Sequence, residues 1–310
     1  MRFKILYALA AALAALALAA CGSSSTKHAS TSSSSAKPGA GKPPIVMGDK
    51  NFEEEFVLGS LYQEALEAKG YKVTLKGNIG SSEIIYKALT SGQIQMYPEY
   101  TGVIVSVLAG NTKPPHSATQ TYSEAQAFLN KHGYTLLNPT PFYDTDAMGT
   151  LKSFATAHHL TTISQLKQFG HSLKLGGAPE FATRYEGLIG LKQAYGINPT
   201  FKPLAIGLTY KALDSGQVQV ADVFSTDPQL TTGKYTTLSD PKNVFGFQNV
   251  APIVKTSVLK AEGPAFAQTL NKVSSLLTLS AMRQMNAAVA LDQQNPASVA
   301  HKFLAANGLV

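Results

Sequence analysis

Two stretches of this chain repeat each other 124 positions apart, and that repeat limits the possible folds more than any other feature. Tyr86-Lys87-Ala88-Leu89-Thr90-Ser91-Gly92-Gln93-Ile94-Gln95 runs into Met96-Tyr97-Pro98-Glu99-Tyr100. Tyr210-Lys211-Ala212-Leu213-Asp214-Ser215-Gly216-Gln217-Val218-Gln219 runs into Val220-Ala221-Asp222-Val223-Phe224. Each copy reads as a helix, a glycine placed to end it, and a short apolar strand. Tyr100 and Phe224 close the two strands at equivalent positions.

The segments ahead of the copies also correspond. Ile45–Gly48 predicts a strand, Phe56–Lys69 an amphipathic helix and Tyr71–Leu75 a second strand; Leu173–Gly177, Gly187–Tyr195 and Phe201–Leu204 predict the same series. Each half is then β-α-β-α-β, a unit that builds a parallel sheet covered by helices. Ligands of such sheets bind beyond the carboxyl ends of the strands, so two facing lobes create a cleft with an aromatic on each side. Residues 45–143 with 249–310 are expected to form lobe 1, and 144–248 lobe 2, with crossings near 142–146 and 247–252 acting as hinges. Helical patterns at Ala265–Leu279, Ala281–Ala290 and Pro296–Ala306 predict an accessory layer on the first lobe.

The first 44 residues have a different character. Arg2 and Lys4 precede an apolar run, Ile5–Ala20, and Leu18-Ala19-Ala20-Cys21-Gly22 is similar to the cleavage box of bacterial lipoproteins. The run is shorter than the ~20 residues a spanning helix needs. Residues 1–21 are therefore expected to be a lipoprotein signal with Cys21 lipidated, placing the protein on the extracytoplasmic face of the cell membrane; a plain secretory signal or a membrane anchor is the other reading. Residues 22–44, rich in Ser, Thr, Gly and Pro, are expected to be a flexible tether.

Cys21 is the only cysteine, so disulfides and Cys-based metal sites within the chain are excluded. The net charge of +7 is spread without a basic run, and no nucleic-acid partner is expected. An enzyme would need an activated nucleophile, and the chain has no G-x-S-x-G elbow, HExxH pair or phosphate-cradling loop. His158-His159 lacks a partner at i+4 and reads as a surface helix end. No cofactor or metal is expected. The acidic group Asp49, Glu53, Glu54 and Glu55 reads as helix capping and dipole pairing.

Five ordered motifs then carry a resemblance: Gly48-Asp49-Lys50-Asn51-Phe52-Glu53-Glu54, Tyr97-Pro98-Glu99-Tyr100-Thr101-Gly102, Gly177-Ala178-Pro179-Glu180-Phe181-Ala182-Thr183-Arg184, Phe224-Ser225-Thr226-Asp227-Pro228 and Asn295-Pro296-Ala297-Ser298-Val299-Ala300. Residues 45–310 resemble the glycine betaine, carnitine and choline binding proteins of osmoprotectant ABC importers. The resemblance implies an α/β, two-lobe periplasmic-binding-protein (Venus-flytrap) fold of type II with two crossovers. It also implies a monomer that captures a small-molecule solute and delivers it to ABC permease and ATPase subunits. A sensory lipoprotein using the same clamshell is the competing function.

In that family a box of tyrosines grips the trimethylammonium group, because π faces attract a cation that has no N–H to donate, and basic side chains hold the carboxylate. By motif, Lys50 and Arg184 match the carboxylate-binding positions and Tyr100 one wall of the box. Val103, Asp146, Phe224 and Gln248 stand where the family often has other residues, three of them aromatic. The implied site holds a zwitterion between Lys50 and Arg184 at one end and Asp146, Tyr100 and Phe224 at the other. From the residues alone each has a plainer reading: a solvated Lys50, an ion pair from Arg184 to Glu180 or Glu186, core packing for Tyr100 and Phe224, and a turn or cap for Asp146.

Overall fold

The computed structural model describes residues 36–310. The signal, Cys21 and the tether up to residue 35 lie outside the described residues. In chain order the elements are β1 (Ile45–Gly48), α1 (Glu53–Ala68), β2 (Val73–Lys76), α2 (Ser82–Thr90), β3 (Met96–Tyr100), α3 (Thr101–Val103), α4 (Ala118–Lys131) and β4 (Tyr134–Leu136). There follow β5 (Asp146–Leu151), α5 (Lys152–Ala157), β6 (Lys174–Gly177), β7 (Thr200–Pro203), α6 (Thr209–Asp214), β8 (Val220–Phe224) and β9 (Tyr235–Leu238). The chain ends with β10 (Val250–Lys255), α7 (Thr256–Glu262), α8 (Pro264–Leu276), α9 (Leu279–Ala290) and α10 (Pro296–Ala306).

These strands make two five-stranded sheets of matching plan, β2-β1-β3-β10-β4 and β7-β6-β8-β5-β9. In each, the three repeat strands are parallel, and the fourth is antiparallel to the third. The fourth strand is the one that arrives from the other sheet's segment: β5 after β4, and β10 after β9. It enters at the edge where β3 or β8 ends, so it has to run the opposite way. Val250 consequently pairs with Tyr100, and Asp146 with Phe224. The two crossings also pair with each other through a bridge between Tyr143 and Asn249.

Successive strand residues point to opposite faces, and each sheet is coated on both. Met96 and Val254 join Leu58, Leu61 and Phe266 on one side of the first sheet; Tyr97 and Ile253 join Ile85, Leu89 and Leu129 on the other. In the second sheet Val220 packs with Leu166 and Leu191, while Ala221 packs with Leu213 and Tyr210. α8, α9 and α10 lie against α1, the accessory layer expected on the first lobe.

The repeat's stop glycines behave alike. Gly92 (φ +78°) and Gly216 (φ +70°) both take the left-handed conformation that ends α2 and α6. Elsewhere the sequence reading needs correction. β4, β5, β9 and β10 come in addition to the strands that the repeat predicts, and they make both sheets mixed rather than parallel. The helix expected over Gly187–Tyr195 is instead two π-helical turns, Tyr185–Ile189 and Leu191–Tyr195, with a break at Glu186 and Gly187. A Cβ on Gly187 would sit 2.1 Å from the Phe181 carbonyl oxygen, so the close approach that bends this segment requires glycine. Residues 36–44, expected as the end of a flexible tether, form a turn tied to the first sheet's layer. Gly39 N donates to Lys69 O at 2.9 Å, and Lys42 Nζ to Ala261 O at 2.7 Å.

Candidate functional site

β1, β3, β6 and β8 all end at one cleft, and the residues just beyond them line a cavity of about 600 Å³, open solvent included. Lys50, Tyr100, Val103, Asp146, Arg184, Phe224 and Gln248 all line it. So do Phe52, Asp144, Glu186 and Asp222, to which the sequence reading gave no ligand role.

The aromatic part is a stack spanning both lobes. Phe52, in the turn after β1, lies between Tyr100 (ring centroids 6.2 Å apart) and Phe224 (5.9 Å). Tyr100 is buried, and its hydroxyl donates to Glu54 Oε1 at 2.8 Å. Phe224 stays partly exposed in the cavity.

The two basic side chains are both engaged by carboxylates of the protein. Lys50 Nζ sits 2.5 Å from Glu99 Oε1 and 3.7 Å from Glu55 Oε1, and both of those side chains are fully buried. The same ammonium lies 4.1 Å from the centre of the Tyr100 ring, where an outside cation would otherwise stack. Lys50 is thus enclosed rather than solvated. Arg184 forms a fork across the cleft to Glu83 at the start of α2, with Nε to Oε1 at 3.0 Å and Nη2 to Oε2 at 2.8 Å. Its Nη1 is 3.9 Å from Glu186 Oε1. Burial alone would raise the Glu83 carboxyl; its hydrogen bonds to Arg184 and the guanidinium charge outweigh that and hold it at about 2.

Carboxyls dominate the rest. Asp146 opens β5 opposite Phe224, and Asp222 on the neighbouring strand β8 lies close enough for the two carboxyls to interact. Two carboxyls in contact cannot both ionise cheaply, and burial followed by this mutual repulsion puts Asp222 well above the usual carboxylate range. Glu186 is raised to about 7 by burial and then by Asp146, against the pull of Arg184. Asp144 takes Thr226 N at 3.0 Å and is likewise pushed up by burial.

Gln248 braces the cleft. Its Oε1 accepts from Val103 N at 3.0 Å, and its Nε2 donates to Glu186 Oε2 at 3.1 Å. Ser106 Oγ also donates to Glu186, at 2.6 Å. The acidic group at the start of α1, read as capping, does more than that: Glu55 receives Lys50 N at 3.2 Å and Glu54 receives Tyr100 and Asn286. Phe52 and Asp222 carried a signal that went unused. Phe52 lies within the first shared motif, and Asp222 occupies the repeat position of Pro98, two residues from the strand end.

Residues 43–306 match the family model of the substrate-binding domain of ABC-type glycine betaine transport systems. A glycine betaine-binding protein of Pseudomonas aeruginosa is 29% identical over 83% of this chain and 86% of its own length. The glycine betaine-binding protein YehZ of Escherichia coli is 28% identical over 86% of this chain and 91% of its own. A crystal structure described as a glycine betaine/carnitine/choline ABC transporter superposes with a TM-score of 0.69 at 26% identity, covering 86% of this chain and 99% of that one.

Proposed function

Because the chain belongs to the family of substrate-binding domains of ABC-type glycine betaine transport systems, we propose that it closes its two lobes on a small quaternary-ammonium solute of the glycine betaine and choline class. Members of this family are extracytoplasmic components of importers that work with a permease, and they are not enzymes. The proposal adds the ligand's chemistry, its site and the mode of attachment.

One observation carries the ligand assignment: a continuous Tyr100–Phe52–Phe224 stack faces Asp144, Asp146, Glu186 and Asp222 while both basic side chains already hold carboxylates. Such a surface attracts a cation. An ammonium without N–H groups loses little on leaving water for aromatic faces, and the carboxyls add long-range attraction. Lys50 fixes Tyr100 and Glu99 as one wall. Asp146 supplies charge from the other, Phe224 closes the aromatic run, and Val103 with Gln248 shapes the floor. Arg184 meets a solute carboxylate only by exchanging Glu83 for it. Glu83 is the more exposed member of that pair, so the exchange uncovers little.

Solute binding that bridges lobe 1 (45–143 with 249–310) and lobe 2 (144–248) favours the closed form by its extra contacts there. The paired crossings beside Tyr143 and Asn249 serve as the hinge. Lipidation at Cys21 would keep this monomer at the membrane, and among the described residues no helix is long and apolar enough to cross one.

Titration calorimetry with choline and glycine betaine tests the reading. Choline should bind, and Phe52→Ala should weaken it about fivefold to thirtyfold, since loss of one cation–π face and its packing is worth roughly 1–2 kcal/mol. Absence of choline and betaine binding, or unchanged affinity in Phe52→Ala, would remove the basis of the proposal.

A further inference from the structure

On the far side of the Phe52–Phe224 stack lies a second cavity, about 700 Å³ with open solvent included, whose walls also use Asp144 and Asp222. Its chemistry differs from that of the aromatic cleft. Glu53, Glu54, Asp144 and Asp227 line it, and no Lys or Arg does. Two nearby cations are committed elsewhere: Lys50 to Glu99 and Glu55, and Arg283 to the Ser225 carbonyl oxygen.

Glu54, Asp144 and Asp227 are anchored by donors from the protein. Glu54 takes Tyr100 and Asn286, Asp144 takes Thr226 N, and Asp227 Oδ2 takes Phe224 N and Tyr210 Oη, both at 2.8 Å. Burial, then mutual repulsion, raises Asp144 well above the ordinary range, a cost that a bound cation relieves.

A second, independent feature specifies the kind of cation. Asn286, only 5% exposed, is one of the residues around the cavity, and its buried Oδ1 has no hydrogen-bond partner; the buried Oε1 of Gln229, another lining residue, has none either. The Asn286 amide cannot simply be turned round, because its Nδ2 donates to Glu54 Oε2 at 2.8 Å and a flip would set oxygen against carboxylate. The unmatched groups are therefore acceptors that an N–H or O–H donor would satisfy, and beside these carboxyls an ammonium bearing N–H groups supplies the donor and the positive charge together. A quaternary nitrogen has no hydrogen to donate. Among the described residues no group of three or more His, Cys, Asp or Glu is arranged to hold a metal ion.

We propose that this second cavity is a subsite for a protonated primary amine, with Asn286 Oδ1 accepting from it and Asp227 and Asp144 balancing its charge. The assignment goes beyond the aromatic-cleft reading and stands whichever solute that cleft takes. The amine is either the far end of a solute whose quaternary end sits in the cleft or a separate small molecule.

Calorimetry on the full chain with n-propylammonium as probe and tetramethylammonium as control tests this. Wild type should bind n-propylammonium. Asp227→Asn, which keeps the acceptor for Phe224 N and Tyr210 while removing the charge, should weaken that binding about tenfold and leave tetramethylammonium unchanged. Asn286→Leu should do the same where it folds. (3-Aminopropyl)trimethylammonium should bind more tightly than either probe if one solute spans both cavities, and no more tightly than the better probe if the amine is separate. Failure of n-propylammonium to bind, or equal binding in Asp227→Asn, overturns the subsite. Loss of tetramethylammonium binding alone would instead count against the aromatic cleft.

Discussion

Lys50 in lobe 1 and Arg184 in lobe 2 occupy comparable places, each just past a strand at the cleft edge, yet they are built in opposite ways. Lys50 is 4% exposed at the side chain and sits between Glu55 and Glu99, which are fully enclosed. Arg184 reaches over the gap to Glu83, whose side chain is 42% exposed. The first pair is part of the fold of one lobe. The second joins two lobes and can be undone without unfolding either. A shared motif position therefore does not fix a shared role: the partner's burial decides whether a cation is scaffold or contact.

The comparison is broken most directly at Lys50. Lys50→Met leaves two buried carboxylates without their counter-charge, and removing one member of a buried pair costs about 3–5 kcal/mol. Denaturant unfolding of the ligand-free protein should register that loss. Arg184→Met should cost about 1 kcal/mol or less, because Glu83, the partner it holds by hydrogen bonds, is 42% exposed. Similar losses for the two variants would erase the distinction.

The second prediction concerns pH, where lobe 2's surplus of carboxyls should show. Glu186 is raised to about 7 and Asp227 to about 7, so the folded state holds protons that the unfolded chain releases near its ordinary carboxyl values. The stability these groups add is complete below about pH 4 and fades as pH rises toward 7. Glu83, held at about 2, acts oppositely: its contribution is present above about pH 4.5 and lost as pH falls toward 2. Ligand-free protein should thus melt highest near pH 5 and lower at pH 8, by on the order of 2 kcal/mol for Glu186. Choline affinity should move the other way, rising as Glu186 ionises. Glu186→Gln should flatten both curves; a melting temperature that climbs steadily from pH 5 to 8 would contradict the assignment.

Much of this arrangement is legible in the chain before any coordinates. The repeat located β3 and β8, the glycines that precede them, and Tyr100 and Phe224 at their ends, because helix stops and strand periodicity are local properties. β5 and β10 were not legible. Their places in the sheets come from the crossings, and a strand inserted from another lobe leaves no periodic trace at its neighbour. The site divides the same way. Seven side chains reach one cavity because strand ends converge, which topology predicts. The pairing of Lys50 with Glu99 and of Arg184 with Glu83 was hidden, since those partners lie 49 and 101 positions away, whereas the local partner Glu186, read from the sequence as one option for Arg184, does lie 3.9 Å from it. Asp222 escaped notice because the strand pattern places it among apolar neighbours, where only the contact with Asp146 gives it meaning.

The smallest effect sharpens the comparison furthest, because it asks whether Glu83 stands in for a solute carboxylate. Glu83→Gln removes the charge that Arg184 holds and leaves the side chain's size almost unchanged. With Glu83 open to solvent, the pair contributes about 0–1 kcal/mol, so unfolding should hardly change. Freed of its carboxylate, Arg184 offers its fork to any zwitterion in the cleft, and glycine betaine should bind a few-fold more tightly, about 0.5–1 kcal/mol. Choline, which has no carboxylate, should bind as before. Both affinities come from one calorimetric series, and their ratio is the readout. Equal shifts would mean that Glu83 governs lobe closure in general, whereas a shift confined to glycine betaine identifies Arg184 as an exchangeable contact, in contrast to the fixed Lys50.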